Sequence, residues 1–347
     1  MRFARLTLRA TGIVRTGCCM REGQNPGKSE ELSGSVGQVR VVLPVFAPSN
    51  EGYFEQVHPI MDLCLQSLSA TTGPEVRVTV VANGCCAVVE RDLASRVETG
   101  SIDELVVHRN NLGKVDAVMS GARSTFEEIV VISDCDVLFR PGWVDAALNM
   151  FRLFPECGFL GLTPLPNLRS YGTSTTVIGA TLRRELTTAA VINNEDFRRF
   201  AESIGRPTIA GESAGEQLVV RRDGQMACVG AGHFCFVTRR AAMNKMPTSP
   251  CHGVPNGESD WLDLPLDRNG YWRLATTKAY AMHMGNRLED WMGAELAAAN
   301  GESSEEAISQ SLPPVKPSAL RVMPYRLRTS VARRIQPGPG ASTIANV

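Results

Sequence analysis

The sequence predicts an α/β fold: a mostly parallel central sheet flanked by helices, in a single domain that carries one polar insertion. Three observations predict it. Short β-branched runs alternate with segments of helical apolar spacing at the lengths of βαβ units. That alternation lapses over one long stretch, Asn167 to Met226, which is polar and rich in Thr, Arg and Gly. The chain has 347 residues, 43% hydrophobic and 21% charged, enough for one large core or two ordinary ones.

The elements follow in order. Residues 1–37 are rich in Gly, Ser, Arg and Glu without sustained periodicity and read as a disordered basic tail. The domain is expected over 38–300, with a first half at 38–165 and a second at 166–300. Val39 to Phe46 is an apolar run short enough for a buried strand, closed by Pro44 and Pro48. Phe54 to Leu68 sets Val57, Ile60, Met61, Cys64, Leu65 and Leu68 at helical spacing. Val76 to Val81 is a second strand ended by Asn83–Gly84, and Val88 to Val97 a helix. Leu105 to Val107 is a third strand, Gly113 to Phe126 a helix, and Ile129 to Ser133 a fourth strand running into Asp134–Cys135–Asp136. Trp143 to Phe154 (helix) and Gly158 to Thr163 (strand) complete the first half.

The second half is sparser. A helical piece covers Glu195 to Ile204, a strand covers Gly232 to Val237, and a helix covers Glu258 to Arg268, bent or interrupted by Pro265. Thr276 to His283 is the last strand. In residues 301–347 Pro, Ser and Gly return, and the segment reads as a second basic tail in which Pro324 breaks any helix between Leu320 and Ile335.

Thirty-six basic and 36 acidic side chains cancel. A neutral total argues against a nucleic-acid partner. The zero hides a segregation: Met1 to Arg21 holds five arginines and no acid, and Ala307 to Val347 six basic residues and no acid. Removing those eleven positives leaves the body at −11. The basic ends suggest at most a weak contact with an anionic membrane surface. No stretch approaches the roughly eighteen apolar residues of a spanning helix, and no apolar signal-peptide core is seen. Ten cysteines show neither Cys-x-x-Cys nor zinc spacing, so a reducing cytoplasm is the expected location, with peripheral membrane contact as a variant.

Asp134–Cys135–Asp136 directly follows a strand, and ligands in open α/β sheets bind beyond the carboxyl ends of strands. Two carboxylates at i and i+2 there can hold a divalent cation and, through it, a diphosphate. Pro44 ends the first strand and Asn83 the second. Asn110–Asn111–Leu112–Gly113–Lys114 ends the third and opens a helix whose amides, with Lys114, would attract phosphate. Gly-x-Gly-x-x-Gly is missing after the first strand, which argues against a nicotinamide dehydrogenase. Gly113–Lys114 lacks the flanking residues of a P-loop. Gly230–Ala231–Gly232 precedes a strand where a nucleotide loop would follow one.

In this order, Val41–Val42–Leu43–Pro44–Val45–Phe46, Val80–Val81–Ala82–Asn83–Gly84, Asn111–Leu112–Gly113–Lys114 and Ser133–Asp134–Cys135–Asp136 resemble family 2 glycosyltransferases of the GT-A fold. Gly232–His233–Phe234–Cys235–Phe236–Val237 is similar to the family's acceptor-side strand. Glu258–Ser259–Asp260–Trp261 with Asn269–Gly270–Tyr271 resembles its Glu-Asp helix and Gly-Tyr turn, and His283–Met284–Gly285 its terminal His-x-Gly. The likeness runs from about Val39 to Gly285. Two departures stand out: Asn83 where the family is commonly acidic, and a Glu-Asp pair split by Ser259.

The resemblance implies inverting transfer of a sugar from a nucleotide diphosphate, UDP foremost, to a hydroxyl on a glycan, a lipid-linked or a small-molecule acceptor. Pro44, Val45, Asn83, Asn111, Gly113, Lys114 and Asp134 would bind the donor. Asp136, with Asp134 and His283, would hold Mn²⁺ or Mg²⁺. A carboxylate would take the acceptor proton, since a neutral hydroxyl is a poor nucleophile. Asp260 or Glu258 is implied, with Asp260 favoured because Trp261 beside it would wall the acceptor. Tyr171, in the polar insertion, and His233 complete the acceptor side, and Gly211 to Gly215 would form a mobile lid. The alternative is a non-catalytic module of the same fold that binds a nucleotide or a glycan.

Overall fold

The computed structural model describes residues 38–209, 216–253, 257–299 and 311–336, with Asn25 and Gly27. The remainder of the expected N-terminal tail and the segment Gly211 to Gly215 lie outside the described residues.

The first half follows the predicted alternation. Strands β1 (Val39–Val45), β2 (Val76–Asn83), β3 (Glu104–His108) and β4 (Ile129–Ser133) are connected by helices α1 (Val57–Thr71), α2 (Ala87–Glu98) and α3 (Lys114–Arg123). β1 pairs in parallel with β2 on one side and β4 on the other, and β2 with β3. The chain thus moves outward from β1 to β3, then returns across β1 to lay down β4. This reversal is the topological switch point at which such sheets open a crevice above their carboxyl ends. Every residue of β4 is buried, as expected of a strand covered on both faces. In α1, Ile60, Met61, Cys64, Leu65 and Leu68 form the buried stripe that the helical spacing predicted.

Two further strands, β5 (Val137–Phe139) and β6 (Cys157–Gly161), flank α4 (Trp143–Leu153). Beyond them lie α5 (Ser174–Leu182), β7 (Leu186–Ala189), α6 (Asn194–Ser203), β8 (Gln217–Arg222), β9 (Gln225–Val229), β10 (Cys235–Arg239) and α7 (Arg240–Met243). Then come α8 (Leu264–Arg268), β11 (Trp272–Ala275), β12 (Ala281–His283), α9 (Asp290–Ala299) and α10 (Tyr325–Ile335). Among the described residues ten strands form one mixed sheet in the order β3-β2-β1-β4-β10-β6-β11-β9-β8-β7, and β12 pairs with β5 apart from it.

The polar insertion is more ordered than its composition indicated. Its helix α5 is buried along Ser174 to Ala180, and β7 to β9 extend the main sheet as an antiparallel edge. Thr and Arg mask this in the sequence, because their polar groups are satisfied by partners far away in the chain. Asp267 accepts from Ser174 N (3.1 Å), Ser174 Oγ (2.8 Å) and Thr175 N (2.8 Å), so the start of α5 is capped by another helix.

Within 301–347, the described residues 311–336 are not an unstructured tail. Pro324 does not break a helix there; it precedes the first residue of α10, where its missing N–H costs nothing. Arg328 on α10 is buried and donates to Thr175 Oγ1 (2.6 Å), Asp267 O (3.0 Å) and Arg268 O (2.8 Å). The helix is therefore part of the packed body.

Candidate active site

The crevice is built from strand ends. Half-buried Pro44 and buried Val45 close β1, paired with Val81 and Ala82 of β2. Asn83 closes β2 and is 3% exposed, with its carboxamide turned onto the loop before α3. It accepts from Leu112 N (2.9 Å) and donates to Asn111 Oδ1 (2.9 Å), which also accepts from Gly113 N (2.8 Å). Asn83 is thus the anchor of the Asn111–Gly113 loop. Gly84 is required beside it: its φ is +78°, and a Cβ there would lie 2.7 Å from Asn111 N.

Lys114, the first residue of α3, reaches Asp134 at the end of β4, with Nζ 2.6 Å from Oδ1 and 2.7 Å from Oδ2. Burial alone would lower the lysine pKa. The charge and hydrogen bond of Asp134 outweigh it, with help from Asp136 and Glu258, and hold the ammonium above its ordinary value. Asp134 N in turn donates to Phe234 O (2.7 Å), so β10 is fastened at this carboxylate.

The second carboxylate gains its partner through the small sheet. β5 pairs with β12 so that Val137 faces His283, and Met284 N donates to Asp136 O (2.7 Å). His283 Nε2 then lies 3.5 Å from Asp136 Oδ2. Its Nδ1 hydrogen-bonds Ser203 Oγ at 2.9 Å. Phe234 and Phe200 meet the ring edge-on. This fixes the imidazole with Nε2 toward the acids, in the way that outer partners orient a ligating histidine.

Asp134, Asp136 and His283 each offer a donor atom within 4.8 Å of the others. Asp136 Oδ1 is buried and has no hydrogen-bond partner. Burial, opposed by His283 and then reinforced by Asp134, pushes the Asp136 carboxyl above its usual range. A buried, unpartnered carboxylate oxygen beside a second carboxylate is a place where a cation would satisfy both groups. Two carboxylates and an imidazole suit a divalent ion that accepts oxygen and nitrogen donors.

Asp260 and Glu258 part company here. Ser259–Asp263 is a single π-helical turn, with Leu264 N donating to Ser259 O. Pro265 explains it: lacking an N–H, it cannot close an α-helical bond to Trp261 O, and the backbone widens. One turn then carries Ser259 and Asp263 on the same inner face, where both reach Tyr171 OH, at 2.6 Å (Ser259 Oγ) and 3.3 Å (Asp263 Oδ2). Asp260 points outward and pairs with Arg268 at 2.7 Å, its side chain 56% exposed. Trp261 Nε1 donates to Ser249 O (2.8 Å) and holds the chain before the turn. Glu258 is half-buried and shares the electrostatic field of Lys114.

Tyr171 and His233 come together as the sequence grouped them, through a residue it did not single out. His233 Nδ1 lies 3.0 Å from Asp263 Oδ2. The other oxygen, Oδ1, accepts from Arg273 Nη2 at 2.6 Å. Asp263 is 2% exposed. Burial works against its ionisation, but Arg273 and His233 outweigh burial and hold its carboxyl well below the usual range. Burial, with the Asp263 charge behind it, pushes the Tyr171 phenol up to about 12. In the sequence Asp263 showed only as an acid between Leu262 and Leu264, a weak signal, since burial of an acid and its need for a partner are visible only in the fold. Its partner Arg273 lay unread in Trp272 to Ala275.

No protein-family model matches the chain, and no curated protein matches it. Among solved structures, it is similar to a mannosyltransferase from Pyrobaculum calidifontis in complex with GDP-Man and Mn²⁺, at 16% identity and a TM-score of 0.43, over 86% of this chain and 74% of that one. It is also similar to S. aureus TarS 1-349, at 12% identity and a TM-score of 0.41, over 70% of this chain and 59% of TarS 1-349. The complex of that protein with UDP-GlcNAc gives 11% identity and a TM-score of 0.41, over 74% of this chain and 61% of the other.

Proposed function

We propose that the protein is an inverting glycosyltransferase that moves a sugar from a nucleoside-diphosphate donor to a hydroxyl acceptor. The observation that carries this is the Asp134–Asp136–His283 cluster, with the orphaned Asp136 Oδ1, at the switch point of the sheet. Asp136 and His283, with Asp134, would hold Mn²⁺ or Mg²⁺, which when bound neutralises charge developing on a departing diphosphate. The chain's own residues do the rest. Lys114 Nζ offers a fixed positive charge to the diphosphate, and the N-terminus of α3 offers its free amides. Pro44 and Val45 wall the base and ribose side, and Asn83 supports the Asn111–Gly113 loop that completes it. Glu258, whose charge acts on Lys114, is the expected carboxylate facing the donor site, whereas Asp260 is exposed and engaged with Arg268.

The test is calorimetry and thermal shift with UDP-, GDP- and dTDP-sugars in the presence of Mn²⁺, followed by product analysis. Saturable, metal-dependent binding with sugar release or transfer is expected, and Asp136→Asn should weaken metal-dependent binding by at least ~100-fold, the upper end of what loss of an outer partner costs a metal site. Absence of binding for the whole panel would sink the reading. Binding without turnover would favour a nucleotide- or glycan-binding module.

A further inference from the structure

We propose that His233 is the proton acceptor for the incoming hydroxyl, positioned by Asp263, within the transfer reaction inferred above and resting on it. Four features of the molecule carry the assignment.

The first is place. His233 precedes Phe234, whose carbonyl accepts from Asp134 N at 2.7 Å and whose ring meets His283 at a centroid distance of 5.4 Å. The backbone that carries the imidazole is therefore fastened, one residue on, to the acid cluster. Its backbone is set there by Gly230, whose φ of +96° and close approach to Leu168 O (2.5 Å from a built Cβ) admit no side chain.

The second is the state of the ring. Asp263 is an ionised acceptor, so it takes the hydrogen of Nδ1–H and leaves the lone pair on Nε2. No described residue hydrogen-bonds Nε2, and the side chain keeps 15% of its surface exposed. A histidine kept in one tautomer by a buried carboxylate, with its other nitrogen free, has the arrangement of a general base and its orienting acid.

The third is the charge balance. The charged and titratable groups around His233 are Asp263 on the π-helical turn, Arg273 on β11, Tyr171 ahead of α5, and Asp134 and His283 across Phe234. Arg273 Nη2 on Asp263 Oδ1 (2.6 Å) keeps that carboxylate ionised while Oδ2 serves His233. Arg273 is itself fixed by Ala231 O and Asp263 O and lies 4.0 Å over the Phe159 ring. The dyad thus rests on a buried, fully engaged base plate. The fourth is the π-helical turn, which buries Asp263 beside His233 and leaves Asp260 exposed and paired with Arg268.

In the step, the acceptor oxygen forms its bond to the anomeric carbon as its proton passes to His233 Nε2. The bond from the anomeric carbon to the diphosphate oxygen breaks, and the electron pair leaves with the nucleoside diphosphate. The imidazolium formed is stabilised by Asp263 and later loses its proton to solvent.

The experiment uses the full chain, Mn²⁺ and the nucleotide-sugar of the panel that the wild type turns over, with water as acceptor. Turnover is followed from pH 5 to 9, with nucleotide affinity by calorimetry and folding by thermal melt. The variant His233→Asn keeps a donor toward Asp263 and lacks Nε2; His233→Gln is the second. The expected result is a wild-type kcat that rises with pH along a single limb. Both variants should lose that limb and ~10²–10⁴-fold of kcat, with nucleotide Kd within ~3-fold of wild type. Asp263→Asn should lower kcat and displace the limb with little change in KM, the mark of a positioning residue. If both His233 variants keep kcat within ~3-fold and retain the limb, or if Glu258→Gln alone removes it, the assignment falls while the donor site stands. Wild-type binding without turnover also overturns it. Failure of the wild type to bind any nucleotide overturns the donor-site reading and this assignment together.

Discussion

At the residue scale the site is governed by which buried charges are paid back locally. Lys114 is shared among Asp134, Asp136 and Glu258, and it lies closest to Asp134. Lys114→Met should therefore weaken nucleotide-diphosphate binding by about 1.5–3 kcal/mol, the worth of a hydrogen bond to a charged group. Isothermal calorimetry with the nucleoside diphosphate checks this, and an unchanged Kd would show that the lysine only neutralises Asp134. Asp263 makes a pH prediction. Its folded pKa is depressed below the unfolded value of ~3.9, so its stabilisation is complete above that value and is lost as pH falls through the lower folded one. The melting temperature should thus carry no contribution from Asp263 titration between pH 5 and 7 and should drop below about pH 4. A contribution lost already near neutrality would contradict the buried Arg273 pair.

At the scale of elements, helices here are completed by residues from elsewhere. Thr173, the residue before α5, makes no side-chain cap, and buried Asp267 of α8 supplies the missing acceptor to Ser174 and Thr175. Replacing it by alanine removes a cap and strands buried donors, so Asp267→Ala should cost about 2–4 kcal/mol, read as a lower urea midpoint with unchanged m-value. The π-helical turn at Ser259–Asp263 is the second such case, because Pro265 denies the helix one bond. The apolar spacing of the sequence located this helix and its proline. It gave no rotation, and rotation decides which of Asp260 and Asp263 enters the cleft.

At the scale of the whole molecule, the described C-terminal segment closes the structure, with Arg328 buried against α5 and α8. Deleting residues 325–347 should lower the melting temperature, by roughly 2–4 °C for each kcal/mol lost in a chain of this class; a dispensable tail would leave it unchanged. The parallel half of the sheet, its helices and the position of Asp134 and Asp136 at a strand end were legible in the sequence, because β-branched runs and helical spacing are local and burial on both faces leaves little choice of pattern. The insertion's helix α5, the edge strands β7 to β9 and the packed α10 were not, because Thr and Arg read as polar until their distant partners are known. The sequence by itself determined an α/β sheet with two carboxylates beyond its fourth strand and a histidine late in the chain. Only the tertiary structure decided that His283 faces Asp136, that Asn83 holds a loop, and that Asp263 stands behind His233, since each depends on pairing between residues 29 to 147 positions apart, which hydrophobic periodicity does not encode.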